Sequence, residues 1–307
     1  MRILNFGSLN IDHIYRVTHI VSPGETLAAS TLSFAAGGKG LNQSIALAKS
    51  GLKTYHAGCI GTDGQPLAQI LSQNGVMLNY LEKVDSVNGH AIIQVNDQGQ
   101  NSIVIFGGSN QAITKEQVDR TLSDFTSEDM VLMQNETSMV CYIAQRCKEL
   151  GIPLAFNPSP ISQELLEKFP FDAVTYLLVN ETEAYDITGE HEPEKVAATL
   201  LARNPQMRLV MTLGGDGAYY ADAGSAFRQE VFRVNAVDTT GAGDTFTGFF
   251  LGLMMQGRSC AEALHYACAA AAIAVTRFGA APAIPALEEV EVFLASRKNE
   301  CCTGTSQ

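Results

Sequence analysis

The chain has 307 residues, 46% hydrophobic and 17% charged, with a formal net charge of −12. This is the composition of a soluble globular protein of one large domain or two small ones, and its acidity argues against broad nucleic-acid binding, which needs clustered Lys and Arg. No apolar run reaches membrane-spanning length, no signal segment opens the chain, and the seven cysteines show no metal-site spacing, so reduced thiols in a cytoplasmic setting are expected.

In chain order, residues 2–9 read as a core strand ending at Gly7-Ser8. Asn10 and Asp12 follow two apart, so on an extended backbone both side chains share one face. They offer the donors and acceptors that vicinal sugar hydroxyls need; an Asx turn bonding its own backbone is the other reading. Residues 13–35 carry period-two segments, and a similar stretch at 89–106 turns at Asn96-Asp97-Gln98-Gly99. These excursions predict a small separate β-sheet, a lid able to keep water from a reacting phosphoryl group. Gly37-Gly38-Lys39-Gly40 then opens a helix over about 41–50 with Asn42 in its first turn. The glycines let backbone approach a ligand closely; a tight turn with a solvated Lys39 is the alternative.

From there the chain alternates. The patterns predict strand 54–60, helix 65–74, a capping box at Thr114-x-x-Gln117, strand 130–134, helix 138–150 and strand 153–156. Helix 163–169, strand 173–179, helix 193–202, strand 208–213 and antiparallel strands at 219–220 and 227–234 precede the last helices, 241–255 and 260–277. Strands alternating with helices give an α/β fold, a mostly parallel sheet with helices on both faces, in which ligands bind at the carboxyl ends of strands. Glu136, Asn157, Asn180, Glu183, Thr212, Gly214, Gly215, Gly217 and Asp244 all follow strands and so gather along one edge. The division is 1–12, 36–88 and 107–300 for the core, 13–35 and 89–106 for the lid, and 301–307 for a polar tail with Cys301 and Cys302 exposed.

The stretch from Val237 to Gly248 is the most informative. A strand (Phe232, Val234, Val237) runs into Gly241-Ala242-Gly243 and then an apolar helix. Small residues let successive N–H groups converge at a helix N-terminus, whose dipole end is positive, which makes an anion cradle. Asp244 beside it is either a helix cap or a base that takes a proton from a hydroxyl attacking a phosphate.

Gly37-Gly38-Lys39-Gly40-x-Asn42-Gln43 and Asp238-Thr239-Thr240-Gly241-Ala242-Gly243-Asp244-Thr245-Phe246 resemble the two signatures of the ribokinase (PfkB) family of sugar kinases. Asn180-x-x-Glu183 resembles the family's Asn-x-x-Glu segment, and the likeness runs from about residue 2 to about residue 295. The resemblance implies a ribokinase-like three-layer α/β/α sandwich with a β lid. It implies transfer of the γ-phosphoryl group of ATP to a sugar hydroxyl, the 5-hydroxyl of D-ribose in the members this chain resembles most. On the same basis Asp244 is the base, and Gly241, Ala242 and Gly243 form the anion hole. Asn10, Asp12, Gly38, Lys39, Gly40, Asn42 and Glu136 contact the sugar. Asn180, Thr212, Gly214, Gly215, Asp216, Gly217, Gly243 and Cys268 contact the nucleotide. Glu183 reaches Mg²⁺ through water, and Asp238, Thr240, Ala274, Arg277 and Gly279 hold an activating K⁺.

Two positions depart from the family pattern. Ala283 stands where a Ser often gives K⁺ a side-chain oxygen, which implies weaker or water-completed coordination. His90 stands where a small apolar residue is usual and bears on the lid side of the pocket. Fructose, a 2-keto-3-deoxy sugar acid and a nucleoside are the alternative substrates; a sugar acid calls for a cation beyond Lys39. A non-catalytic sugar-binding protein is the alternative outside enzymes. Lid edge strands pairing across a two-fold axis imply a homodimer.

Overall fold

The computed structural model describes residues 1–303. β1 (Ile3–Phe6) leads to β2 (Asn10–Arg16), β3 (Thr31–Gly37) and α1 (Lys39–Lys49); β4 (Thr54–Ile60), α2 (Gln65–Gln73), β5 (Met77–Lys83), β6 (Gly89–Val95) and β7 (Asn101–Phe106) follow. Next come α3 (Lys115–Leu122), β8 (Met130–Gln134), α4 (Val140–Leu150), β9 (Leu154–Asn157), α5 (Gln163–Lys168), β10 (Tyr176–Asn180), α6 (Glu181–Thr188), α7 (Pro193–Arg203) and β11 (Arg208–Thr212). The chain closes with β12 (Ala218–Ala221), β13 (Ala226–Gln229), α8 (Ala242–Met255), α9 (Cys260–Ala274) and α10 (Leu287–Thr303).

Nine strands form one sheet in the order β13-β12-β11-β10-β9-β8-β1-β4-β5. Pairing is parallel from β5 through β11 and antiparallel at β12 and β13. Both faces are buried, and the period of two assigns alternate side chains to different cores. Ile3, Leu132 and Leu178 pack with Leu41 and Ile45 of α1, Phe249 of α8 and Ala263 of α9. Leu4, Val131 and Leu177 pack with Val118 of α3, Ile143 of α4 and Val196 of α7. The result is the three-layer α/β/α arrangement. A second, four-stranded sheet in the order β3-β2-β6-β7 stands apart from it.

One contact positions the site. Asp244, Gly248 and Gly252 are spaced by four along α8 and so share a face, which lies against α1. A Cβ on Gly248 would sit 2.3 Å from Ala46 Cβ, and one on Gly252 would sit 1.9 Å from Ser50 Oγ. The two helices therefore touch backbone to side chain, and the first turn of α8 is brought beside the first turn of α1.

Some expectations are corrected. Residues 230–241 form no strand. Phe232 instead packs on the rings of His265 and Phe293, and the Val237 and Asp238 N–H groups donate to the Val275 carbonyl at 2.7 and 3.2 Å. The alternation there reflects one-sided packing of an irregular link. Thr114 caps α3 by accepting from the Gln117 N–H at 3.2 Å, but the Gln117 amide donates to Gly58 O at 2.8 Å, so the reciprocal half of the capping box is absent. β5, α6 and α10 occupy stretches where the sequence reading placed no element. Leu287, Val290, Phe293 and Leu294 share one face of α10 against the core, a helical spacing that the sequence carried and the reading passed over, and the helix runs through Cys301 and Cys302, where the tail was expected to begin. The exposure of those cysteines, and residues 304–307, lie outside what the structure describes.

Candidate active site

Strand exits and helix starts converge at the carboxyl edge of the large sheet. The chain leaving β1 brings Ser8, the chain leaving β8 brings Glu136, and α1 begins between them. Glu136 Oε2 accepts the Lys39 backbone N–H at 3.0 Å and the Ser8 hydroxyl, while the Gly40 N–H donates to Ser8 Oγ at 3.2 Å. Asn10 is buried, its Oδ1 accepting from Asn110 Nδ2 at 2.8 Å. Asp12 lies on the same face of β2, folded over Gly37, where a Cβ would sit 2.1 Å from its Oδ2. Burial, reinforced by Glu136, pushes the Asp12 carboxyl up to about 6. Burial raises Glu136 as well, against the pull of Ser8 and Lys39. For Lys39, burial lowers the ammonium, but Asp244, Glu136 and Glu183 outweigh it and hold it above its ordinary value. A partly desolvated acceptor pair beside one cation suits a neutral polyol.

Asp244 is the third residue of α8 and only 8% exposed. It is not the helix cap: that position is Gly241, in the left-handed conformation at φ 73, with no side-chain cap bond. Its carboxylate is held from α1 instead. Oδ2 accepts from Asn42 Nδ2 at 3.0 Å and Oδ1 from Gln43 Nε2 at 2.8 Å.

Two cavities meet at Gly243. A small one of about 60 Å³ lies among Lys39, Asn157, Asn180, Glu183, Thr212 and Asp244. A cleft of about 660 Å³ runs from Thr212, Gly214, Gly215 and Gly217 to Phe232, Ala236, Cys268 and Val275. Asp216 is exposed and does not line it. Burial pushes the Cys268 thiol up to about 12, so that wall of the cleft is uncharged. Asn180 and Glu183 also form the capping box of α6, each accepting the other's backbone N–H at 2.9 and 3.0 Å. The Ala242 N–H donates to Thr239 O at 3.2 Å, so among the amides of the turn this one is already engaged.

The residues matched to a monovalent-ion site are also brought together. The Asp238 carboxylate accepts from the Thr240 N–H and hydroxyl at 3.0 and 2.6 Å and from the Gly279 N–H at 2.9 Å. Burial raises it, but these donors outweigh burial and hold it below its ordinary value. The Ala274 carbonyl accepts the Arg277 N–H at 3.0 Å. The Ala283 and Ile284 carbonyls accept from Arg277 Nη1 at 3.4 Å and Lys49 Nζ at 2.6 Å. Carbonyl oxygens suit a weakly hydrated cation, and two fixed cations already brace the loop. Among the described residues no group of three His, Cys, Asp or Glu forms a metal cage.

Sequence reasoning gave no role to Gln43, Asn88 or Asn110. The last two clamp residue 9, where the chain leaves for the small sheet: Asn88 Nδ2 donates to Leu9 O at 2.6 Å, and the Leu9 N–H donates to Asn110 Oδ1 at 2.9 Å. The available signal for Gln43 was a polar pair, Asn42-Gln43, interrupting the apolar stripe of Leu41 and Ile45. The expectation for His90 is corrected. β2 and β6 pair Asp12 with Ala91 and Ile11 with His90, so His90 lies on the face away from Asp12, with its ring against His13 and Phe106.

Comparison with known proteins agrees with this geometry. A family model described as pfkB family carbohydrate kinase matches residues 2–287. A ribokinase of Haemophilus influenzae is 36% identical over 300 residues, covering 94% of this chain and 96% of its own. The crystal structure of a Thermotoga maritima ribokinase superposes with a TM-score of 0.85 at 35% identity, covering 96% of this chain and 99% of that one. An Arabidopsis thaliana ribokinase complexed with ribose and ATP gives a TM-score of 0.83 at 31% identity, covering 95% and 98%.

Proposed function

The chain belongs to the pfkB family of carbohydrate kinases, and we propose on that premise that it transfers the γ-phosphoryl group of ATP to the 5-hydroxyl of D-ribose. The observation that carries the reading is the seat of Asp244. A buried carboxylate, held by two amide donors, lines a small cavity with Lys39 and Glu183 that meets a glycine-walled cleft. The similarity to a ribokinase complexed with ribose and ATP supports the choice of sugar and nucleotide.

Asn10, Asp12 and Glu136 accept the sugar hydroxyls, with Asn42 and the Gly38-Lys39-Gly40 backbone closing the ring's other side. Asp244 takes the proton of the attacking hydroxyl, an action worth typically ~10²–10⁴-fold. The Lys39 ammonium, lining the small cavity with Asp244, draws the γ-phosphate into line. The Gly241 and Gly243 amides receive the charge that develops on the phosphoryl oxygens, each such donor contributing about 3 kcal/mol. ATP occupies the cleft, its base against Phe232, Cys268 and Val275 and its phosphates toward Asn180 and Thr212 to Gly217. A divalent ion such as Mg²⁺ on the phosphates would neutralise their charge, and Glu183 would hold it through water. The carbonyls of Asp238, Thr240, Ala274, Arg277 and Gly279 would hold K⁺ and order the turn before Gly241, without a side-chain oxygen from Ala283.

The small sheet acts as the lid, closing residues 13–35 and 89–106 over the sugar, clamped at its root by Asn88 and Asn110. Its edge strands expose Phe34, Val104, Ile105 and Phe106, the apolar surface through which two copies pair as a homodimer. No helix among the described residues is long and apolar enough to cross a membrane, and the site of action is proposed as the cytoplasm. ATP consumption across D-ribose, 2-deoxyribose, fructose, 2-keto-3-deoxy sugar acids and nucleosides, with and without K⁺, tests the reading. Fastest turnover on D-ribose is expected; turnover confined to another substrate overturns the choice of sugar, and none at all overturns catalysis. A monomeric mass in solution overturns the dimer.

A further inference from the structure

The base is anchored by a chain of buried amides that the reaction itself does not use. Gln43 Nε2 donates to Asp244 Oδ1 at 2.8 Å and to Asn157 Oδ1 at 3.2 Å, while Gln43 Oε1 accepts from Gln134 Nε2 at 2.7 Å. Gln134 Nε2 also donates to Asn5 Oδ1 at 3.0 Å, and Asn5 Nδ2 donates to Gly40 O and Ser44 Oγ, both at 2.9 Å. Ser44 Oγ meets His56 Nδ1 at 2.8 Å. Gln43, Gln134, Asn5, Ser44 and His56 are each at most 1% exposed.

The chain has one sense. A carboxylate only accepts, so the amide nitrogen of Gln43 must face Asp244. Its oxygen then faces Gln134, whose nitrogen must point there, and that nitrogen fixes Asn5 in turn. Burial lowers His56 to about 4, so the far end is a neutral ring and the chain ends without a route to water. It is a brace rather than a proton path. It ties α1 to β4, β1, β8 and β9, the strands under the site. Gln134 Oε1 stays unpartnered, a cost that an apolar core of the same shape avoids.

We infer that Gln43, braced by Gln134, is a positioning residue that aims the Asp244 carboxylate at the acceptor hydroxyl. The inference rests on Asp244 being the base. Lys39 and Glu136 are charged groups that act on this carboxylate, Glu183 lines the same cavity, and none of them donates to it through a hydrogen bond. Gln43 on Oδ1 and Asn42 on Oδ2 therefore set its direction, Gln43 being the donor that the brace holds, while the charged groups set only its field.

Three variants assayed with ATP and the sugar substrate test this. Gln43→Leu is expected to lower kcat roughly ten- to a hundredfold, the worth of one charge-assisted hydrogen bond, with both KM values within about threefold of the parent. Gln43→Glu is expected to be poorest at high pH and to regain kcat as pH falls, because a protonated Glu restores a donor; a merely structural lesion shows no such recovery. Gln134→Met leaves Asp244 untouched and frees Gln43 to rotate, so kcat should fall by roughly three- to tenfold, which also decides the matter if Gln43→Leu does not fold. Asp244→Asn in the same assay separates the two ideas. If it turns over like the parent, the base assignment fails and the inference fails with it. If it is inactive while the Gln43 and Gln134 variants keep the parental kcat and pH profile, the base stands and the positioning role is overturned.

Discussion

The starts of α1 and α8 face each other across the site and are built from opposite materials. Both follow glycines, and both carry one of the two sequence signatures. The first two turns of α1 are dense with buried side chains, Asn42, Gln43 and Ser44, each making a hydrogen bond. The first turn of α8 is open before Asp244: a Cβ on Gly243 would meet nothing within 4 Å. One start supplies direction through amide side chains; the other supplies the carboxylate itself, with space and backbone amides beside it. Glycine does two jobs even within α8, since at Gly248 the space is already filled by Ala46 and Leu47. A glycine-rich motif thus shows where backbone comes close without showing to what, which is either ligand or neighbouring helix.

The largest effect that tests this contrast is at Asp244, where the two starts meet. Asp244→Asn should lower kcat by about 10²–10⁴-fold and leave the KM values for sugar and ATP within a few-fold, measured by steady-state kinetics. A fall in affinity with kcat intact would make the residue a binding group and dissolve the division of labour. Next comes Gly248→Ala, whose Cβ would lie 2.3 Å from Ala46 Cβ. Overpacking there should cost about 1–3 kcal/mol in urea unfolding. It should also reduce kcat, because α8 moves away from the donors on α1. Gly243→Ala is the counterpart: stability should stay within about 0.5 kcal/mol, while kcat/KM for ATP falls roughly tenfold as a methyl enters the phosphate path. Equal stability losses for the two alanines would show that Gly243 serves packing and not a ligand.

Much of this was legible because chemistry and local structure left separate marks. The alternation of apolar strands and helices fixes a parallel sheet, and the sheet fixes which ends of its strands carry function. Asp12, Glu136, Lys39 and Asp244 were singled out from the sequence, and they stand on β2, just after β8, and at the starts of α1 and α8. What pattern could not show was contact between distant side chains. Gln43 reaches Asp244 across 201 positions of sequence and Asn110 reaches Asn10 across 100, and no spacing rule encodes either. Asn180-x-x-Glu183 shows the opposite failure: it was read for ligand chemistry, its second role as the capping box of α6 went unseen, and the helix was missed. The 230–237 stretch misled because one-sided packing of a link repeats every second residue, as a strand does.

The last predicted effect concerns the sugar end of the site, where Asp12 folds over Gly37. Burial with Glu136 nearby raises Asp12 to about 6 from an ordinary 3.8. A carboxyl whose folded-state value exceeds its unfolded one binds its proton more tightly when folded. Its contribution to stability is therefore full below about 3.8 and is lost as pH rises through about 6. At pH 8 the sugar-free enzyme carries an ionised, poorly solvated Asp12. Asp12→Asn should then be more stable by about 1–2 kcal/mol, with the advantage vanishing in acid. Sugar binding should move the other way. The ionised form accepts charge-assisted hydroxyl bonds on both oxygens, whereas protonation turns one oxygen into a donor, so the sugar KM of the parent should rise about tenfold between pH 7 and pH 5, and that of the variant should be high and flat. Paired urea titrations at pH 8 and pH 4, with sugar KM across the same range, measure both. If the variant is no more stable at pH 8 while sugar affinity still falls in acid, the titrating group is not Asp12. Glu136, whose carboxyl is also raised by burial, is then the group to replace with Gln.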